Sequence, residues 1–193
     1  MEAISGLSFP TKDNLCTRFA IELILRRSLE LGVHIRIIPS HDRPGNERQK
    51  LKAFQCHQET LDIGPVVEEA KQAMGLDSNN RAFSTDILCV EISGPSQPHF
   101  TMVDLPGLFL AGNKDQSEED AKLIRGLVLS CMKKPRNIIL AVVSAKSDFA
   151  LQQVTRYARA LDPDGGSHTL GLITKPETLD KGSDRESFYV ELV

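Results

Sequence analysis

No CxxC pair, no histidine ladder beside a cysteine, no extended basic block, no long apolar run and no internal repeat occur in these 193 residues. Each absence removes a class of protein. The four cysteines, Cys16, Cys56, Cys89 and Cys131, are spaced too widely for a zinc site or a disulfide framework, so a reducing compartment is expected. The longest apolar run, Ile138 to Val143, falls far below the roughly 18 residues of a membrane span. The first residues also lack the apolar core of a signal peptide, and a soluble, cytoplasmic chain is expected. A formal charge of -3 and basic clusters no longer than Lys133-Lys134-Pro135-Arg136 argue against nucleic acid as the main partner. What remains is a globular composition, 40% apolar and 25% charged, over a length that suits one ordinary domain with a sizeable core.

Strand-like and helix-like runs alternate along the chain, the pattern of an α/β domain. "MEAISGL" reads as the last turns of a helix closing at Gly6, followed by the polar loop "LSFPTKDNLCT". "RFAIELIL" and "VHIRII" read as the two strands of an antiparallel hairpin around "RRSLELG". A charged stretch from Asn46 and the segment Asp62 to Met74 read as helices, the second with Val66, Val67, Ala70 and Met74 at helical spacing. The short turn between "DILCVEI" and "HFTMVDL" makes these two strands antiparallel neighbours. Ser117 to Met132 is expected to be a capped helix, with Glu118, Glu119 and Asp120 in its first turn and Lys133 and Lys134 at its far end. "NIILAVVSA" is apolar enough to be a central parallel strand covered on both faces. A helix from Asp148 to Leu161, a turn at "DPDGG" and the strand "TLGLI" follow.

Ligands of open α/β sheets sit beyond the carboxyl ends of the strands, which directs attention to two turns. Asp104-Leu105-Pro106-Gly107 follows one apolar strand and Thr174-Lys175-Pro176-Glu177 follows another. A carboxylate at a strand end can hold Mg²⁺ through water, and a glycine three residues on lets a backbone N–H approach a phosphate. At the second turn, a lysine stem can lie along a purine face while an acidic side chain accepts from the N1 and N2 donors of guanine. Either turn alone is more often a β-turn or the lead into a helix. Their order, each at the end of an apolar strand, favours the functional reading.

At this point the chain resembles the dynamin superfamily of large GTPases, nearest its fungal dynamin-like and Mx-like branch, over essentially its whole length. The resemblance is carried by "EAISGLSFPTKDNLCTRFAIELILRR", "FSTDILCVEISGP", "TMVDLPGL", "SDFALQQVTRYARALDP" and "TLGLITKPETLDKGSD". It implies an α/β fold of the P-loop-NTPase type: residues 1–193 as part of a dynamin-type G domain, with a mixed, mostly parallel sheet flanked by helices and truncated at both ends. It also implies that Thr17 and Asp104 are metal ligands for Mg²⁺, that Thr17, Asp104 and Gly107 are the catalytic residues around the γ-phosphate, and that Thr174, Lys175 and Glu177 bind the guanine of GTP. Glu177 stands where the family usually has Asp, and Gln153 stands where some members carry an acidic residue that reaches across a dimer.

By the same resemblance, a phosphate-binding loop ending in Gly-Lys-Ser is expected just before "EAISGL", and a further guanine-contacting loop, a helical bundle and a stalk are expected after Val193. The chain as given is therefore expected to be inactive. Two accounts remain beside chance similarity: part of a genuine GTPase coupled to membrane remodelling and organelle fission, or a nucleotide-free interaction module that docks on dynamin-like subunits. The partners implied are GTP and other G domains, with membrane or cytoskeleton engaged only through regions outside this sequence, peripherally to membranes.

Overall fold

A computed structural model of the chain describes residues 17–54, 56, 62–76, 81–108, 117–163 and 166–192. The expected helix over 1–7 and the loop leading to Cys16 lie outside these residues. The chain divides into two compact units, Met1–Ile124 and Arg125–Val193, with the boundary inside a helix.

In the first unit, alternating side chains build a sheet with one apolar and one polar face. Its strands are β1 (Ala20–Arg27), β2 (Gly32–Ile38), β3 (Ile87–Gly94) and β4 (Phe100–Asp104), in the order β2-β3-β1-β4. The register aligns Ile35, Val90, Leu23 and Met102 in one row, with Val33, Ile92, Leu25 and Phe100 in the next on the same face. Onto this face pack α1 (Gly45–Lys52) through Leu51 and α2 (Ile63–Ala73) through Ile63, Val66, Val67 and Ala70. The helical spacing read from the sequence is thus the buried stripe of α2, and Asp62 caps it by accepting from the Gly64 N–H at 3.0 Å. The intervening residues form the polar face, where Glu91 is paired with Arg26 at 2.6 Å and with Arg36 at 3.8 Å. Ala20 and Cys89 are buried on that face; burial pushes the Cys89 thiol up to about 11, so it is an inert packing residue at neutral pH.

Neither expected hairpin is a pair of neighbours. β3 separates β1 from β2, running parallel to the first and antiparallel to the second, and β1 separates β3 from β4. The short connections still reverse the chain, as the sequence suggested, but each steps over one strand, a span of roughly 10 Å that four or five residues can cover. β1 and β3, the two most apolar strands of this sheet, both lie inside it, which covers Leu23, Leu25, Leu88 and Val90 almost completely. The connections then meet at Gly94, whose carbonyl accepts from Ser28 of one at 3.0 Å and Gln97 of the other at 3.2 Å. A Cβ on Gly94 would lie 3.0 Å from Leu31, so the bare backbone is what lets the two loops pass closely.

A buried ion pair secures the loops around the start of β3. Asp86, fully buried, accepts from the Ser40 N–H at 2.8 Å, the Ser84 hydroxyl at 2.6 Å and the Arg43 Nε at 3.1 Å. The Arg43 guanidinium also donates to the Met74 carbonyl at 2.8 Å and to Glu47 at 3.0 Å. Three stretches of the chain, residues 40–47, Met74 and residues 84–86, are therefore tied together through the Arg43–Asp86 pair.

Crossing the boundary, α3 (Glu118–Met132) has the cap its sequence announced, and the cap is reciprocal: the Ser117 hydroxyl accepts from the Asp120 N–H at 3.1 Å, and Asp120 accepts from the Ser117 N–H at 2.9 Å. The second unit holds β5 (Ile139–Ser144) and β6 (Thr169–Thr174), paired in parallel, with α4 (Gln153–Leu161) and α5 (Asp184–Glu191). Ile139, Ala141 and Val143 are buried, the first two packed with Ala158, Val154, Leu161 and Met132. β5 is parallel, as expected, but among the described residues it pairs only with β6 and is covered on one face: Leu140 and Val142 remain 49% and 48% exposed. The helix expected from Asp148 is also divided, into a 3-10 turn at Phe149–Leu151 and α4 beginning after Gln152.

Asp86→Ala strands the Arg43 guanidinium in the core, and urea unfolding should show a loss of about 3–5 kcal/mol. Replacing both partners together, Asp86→Leu with Arg43→Met, should cost much less than the sum of the single changes.

Candidate functional site

Asp104 is the last residue of β4, in register with Ile21 of β1 and so in the row of Ile21, Leu88 and Ile37, all nearly inaccessible. A carboxylate at that position loses water on the side of the apolar face. Burial pushes its carboxyl above the ordinary value, and the Thr17 hydroxyl, donating to Asp104 Oδ2 at 3.1 Å, offsets only part of that effect. The two residues are 87 apart in sequence and are brought together because Thr17 lies three residues before β1, the strand that pairs with β4. A hydroxyl and a carboxylate oxygen side by side form a hard donor set suited to Mg²⁺.

The turn after Asp104 is asymmetric. Pro106 is buried and anchors it, whereas Gly107 is exposed. Among the described residues no atom lies within 4 Å of where a Gly107 Cβ would stand, and its φ is not positive. Neither packing nor backbone conformation therefore calls for glycine here. What its missing side chain leaves open is the approach to the backbone N–H.

The second turn is held from β5. Thr174 ends β6, its carbonyl accepts from the Ala145 N–H at 2.9 Å, and its hydroxyl donates to the Val143 carbonyl at 3.0 Å. Lys175 follows at φ 58° and ψ 40°, the one non-glycine residue with positive φ among the described residues. Pro176 then opens a single 3-10 turn, Pro176–Thr178, stabilised by the Thr178 hydroxyl on the Lys175 carbonyl at 2.7 Å. Lys175 and Glu177 both point to solvent. A left-handed lysine is strained by about 1–3 kcal/mol, a cost that the surroundings must offset.

Sequence reading overlooked Gln152 and Tyr189, which bind the end of β5. The available signal was weak: a glutamine directly before α4, where a short capping residue is usual. A cavity of about 710 Å³ on the second unit, lined by Phe149, Arg156, Arg159, Arg185, Phe188 and Tyr189 among others, includes none of the candidate residues. Among the described residues no cluster of three His, Cys, Asp or Glu forms a metal site.

Two measurements test these environments. Because the Asp104 carboxyl titrates higher in the folded than in the unfolded chain, its ionisation opposes folding. That penalty is absent below the unfolded value and complete above the folded one. Asp104→Asn, which mimics the protonated form, should therefore raise the melting temperature at pH 7, with the gain shrinking as pH falls toward 4. Lys175→Gly should leave melting unchanged or raise it, whereas Lys122→Gly, in the exposed interior of α3, should cost about 1 kcal/mol.

Comparison with known proteins identifies the family of the chain. Residues 1–176 match the dynamin family. The interferon-induced GTP-binding protein Mx of Epinephelus coioides is 31% identical over 195 residues, covering 100% of this chain and 28% of its own length. That of Siniperca chuatsi is 31% identical over 197 residues with the same coverages. The Mx protein of Perca fluviatilis is 30% identical over 186 residues, covering 95% of this chain and 57% of its own length. The chain thus spans little more than a quarter of the first two relatives. With an α/β fold and a family match over nearly all of its residues, the chain belongs to the dynamin family.

Proposed function

We propose that residues 1–193 are part of one dynamin-type G domain that binds GTP with Mg²⁺, and that in the intact protein GTP hydrolysis drives membrane remodelling. The observation that carries this reading is the Thr17 hydroxyl on the half-buried Asp104 carboxylate at the carboxyl end of β4. It is a donor pair that burial leaves short of partners, in a chain whose relatives are named as GTP-binding. When bound there, Mg²⁺ supplies positive charge beside the β- and γ-phosphates. Asp104 would hold the ion through water, Thr17 would hold the ion and orient the attacking water, and the Gly107 N–H would meet the γ-phosphate. Thr174, Lys175 and Glu177 read the base: the Lys175 stem lies along the purine face and the Glu177 carboxylate accepts from the N1 and N2 donors of guanine. Homotypic association of G domains is a further part of the reading, and membrane or cytoskeletal partners engage other regions of the intact protein.

The 193 residues contain no Gly-Lys-Ser segment, the element that supplies most phosphate contacts in this class of enzyme. On its own, this chain therefore turns over no GTP. The same fact supports a second reading, a nucleotide-free module that docks on dynamin-like subunits.

Calorimetric titration and single-turnover phosphate release separate the possibilities. The 193-residue chain should show no Mg²⁺-dependent hydrolysis, and micromolar GTP binding with turnover would overturn that expectation. Fused to an upstream segment carrying the phosphate-binding loop, it should bind GTP in preference to ATP. There, Glu177→Ala should reduce the preference, while Asp104→Ala and Thr17→Ala should each lower turnover by orders of magnitude with the domain still folded. Equal binding of GTP and ATP by the fusion removes Glu177 from the site, and a fusion that binds neither favours the docking module.

A further inference from the structure

Ser144, the last residue of β5, is gripped on both edges. On one edge it is in register with Thr174 of β6, and the next residue, Ala145, donates to the Thr174 carbonyl. On the other, the Gln152 side-chain amide makes both hydrogen bonds of a false strand: its Oε1 accepts from the Ser144 N–H at 2.8 Å and its Nε2 donates to the Ser144 carbonyl at 3.1 Å. The Tyr189 hydroxyl, from α5, lies 3.2 Å from the Ser144 carbonyl and 3.1 Å from the Ser147 carbonyl, and accepts from Gln152 Nε2 at 3.4 Å. With a single proton, it donates to one carbonyl at a time. Its ring is buried and fixed edge-on against Phe149 and Phe188, with centroids 6.3 Å and 5.5 Å away.

We infer that Gln152 and Tyr189 are positioning residues for the turn Thr174–Glu177, acting through the carboxyl end of β5; the inference rests on the reading of that turn as the guanine-recognition element. Three observations converge on it. All the described polar contacts of Thr174 beyond its own turn come from residues 143–145, so whatever holds that end of β5 also holds Thr174. Lys175, immediately after it, adopts a strained left-handed conformation, and such conformations persist only where neighbouring structure over-determines them. Finally, Gln152 stands at the N-cap of α4 without capping it. A serine there would serve the helix better, so the longer side chain is spent on reaching back to Ser144. Packing alone would likewise be met by phenylalanine at 189, because only the hydroxyl meets the two carbonyls.

The test uses the 193-residue chain, nuclear magnetic resonance and two variants, with guanosine and inosine as probes. Inosine lacks the N2 amino group, so the ratio of the two affinities reports how well the Glu177 carboxylate is placed. Tyr189→Phe removes only the hydroxyl, and Gln152→Ser restores a capping residue too short to reach Ser144. Both should speed hydrogen exchange of the Ala145 amide at least tenfold while leaving the β1 and β3 amides unchanged. Both should also weaken the response of the Lys175 to Thr178 amides to guanosine at least threefold and shrink its advantage over inosine. A merely structural role predicts otherwise: Gln152→Ser would stabilise α4 and leave the turn untouched. Unchanged Ala145 exchange and an unchanged guanosine response in both variants refute the positioning role alone. No guanosine response at the turn in the unsubstituted chain refutes the base-reading turn itself, and the positioning role falls with it.

Discussion

Parallel pairing of Ala20–Arg27 with Ile87–Gly94 is the constraint around which the first unit is arranged. With those two apolar strands adjacent, the strands that follow each of them lie at the outer positions, and because the pair is parallel both connecting loops leave from the same end of the sheet. They cross at Gly94, where one carbonyl serves both connections and a missing side chain makes room for Leu31. β4 lies beside β1 in a register that ends on Asp104 opposite Ile21. An acidic residue is thereby placed in an apolar row, at the point where the chain turns away from the sheet.

Among the described residues of the first unit, Asp86 and Asp104 are both poorly solvated, and the contrast between them is instructive. Asp86 collects a backbone N–H, a hydroxyl and a guanidinium, and it ties together loops that would otherwise be loose. Its surroundings leave no lone pair directed at solvent, which suits a structural role. Asp104 has the Thr17 hydroxyl as its side-chain donor among the described residues, and burial raises its proton affinity. That unmet demand for positive charge is what the proposed Mg²⁺ role of Asp104 would use, at a cost in stability while no ion is bound.

The second unit shows how strand ends become rigid without a wide sheet. Two parallel strands are a meagre support, and one face of them is still half exposed at Leu140 and Val142. The carboxyl end is nevertheless closed on both edges, by the Gln152 side chain, which imitates a missing strand partner, and by Thr174 of β6, whose hydroxyl adds a bond to the Val143 carbonyl. A strained residue such as Lys175 can be held in this setting because the peptide before it has no freedom left.

Much of this protein was legible without coordinates because the signals are local. Helical spacing of Val66, Val67, Ala70 and Met74 became the buried stripe of α2 and the turn beyond it, and Ser117 with Asp120 formed a cap. The apolar runs became strands, and the residues at the ends of two of them, Asp104 and Thr174 to Glu177, stood out by residue type and position. Strand neighbours were not legible: a short connection reports reversal of direction, whereas adjacency is decided by how all the strands of the sheet pair together. The Thr17 contact with Asp104, the convergence of Arg43 on Asp86 and the grip of Gln152 and Tyr189 on Ser144 likewise join residues far apart along the chain or turned back upon it. Residue types determined what chemistry each position could perform. Only tertiary packing decided which groups lost their water and which partners replaced it, because desolvation belongs to a place in the fold and not to a residue in the chain.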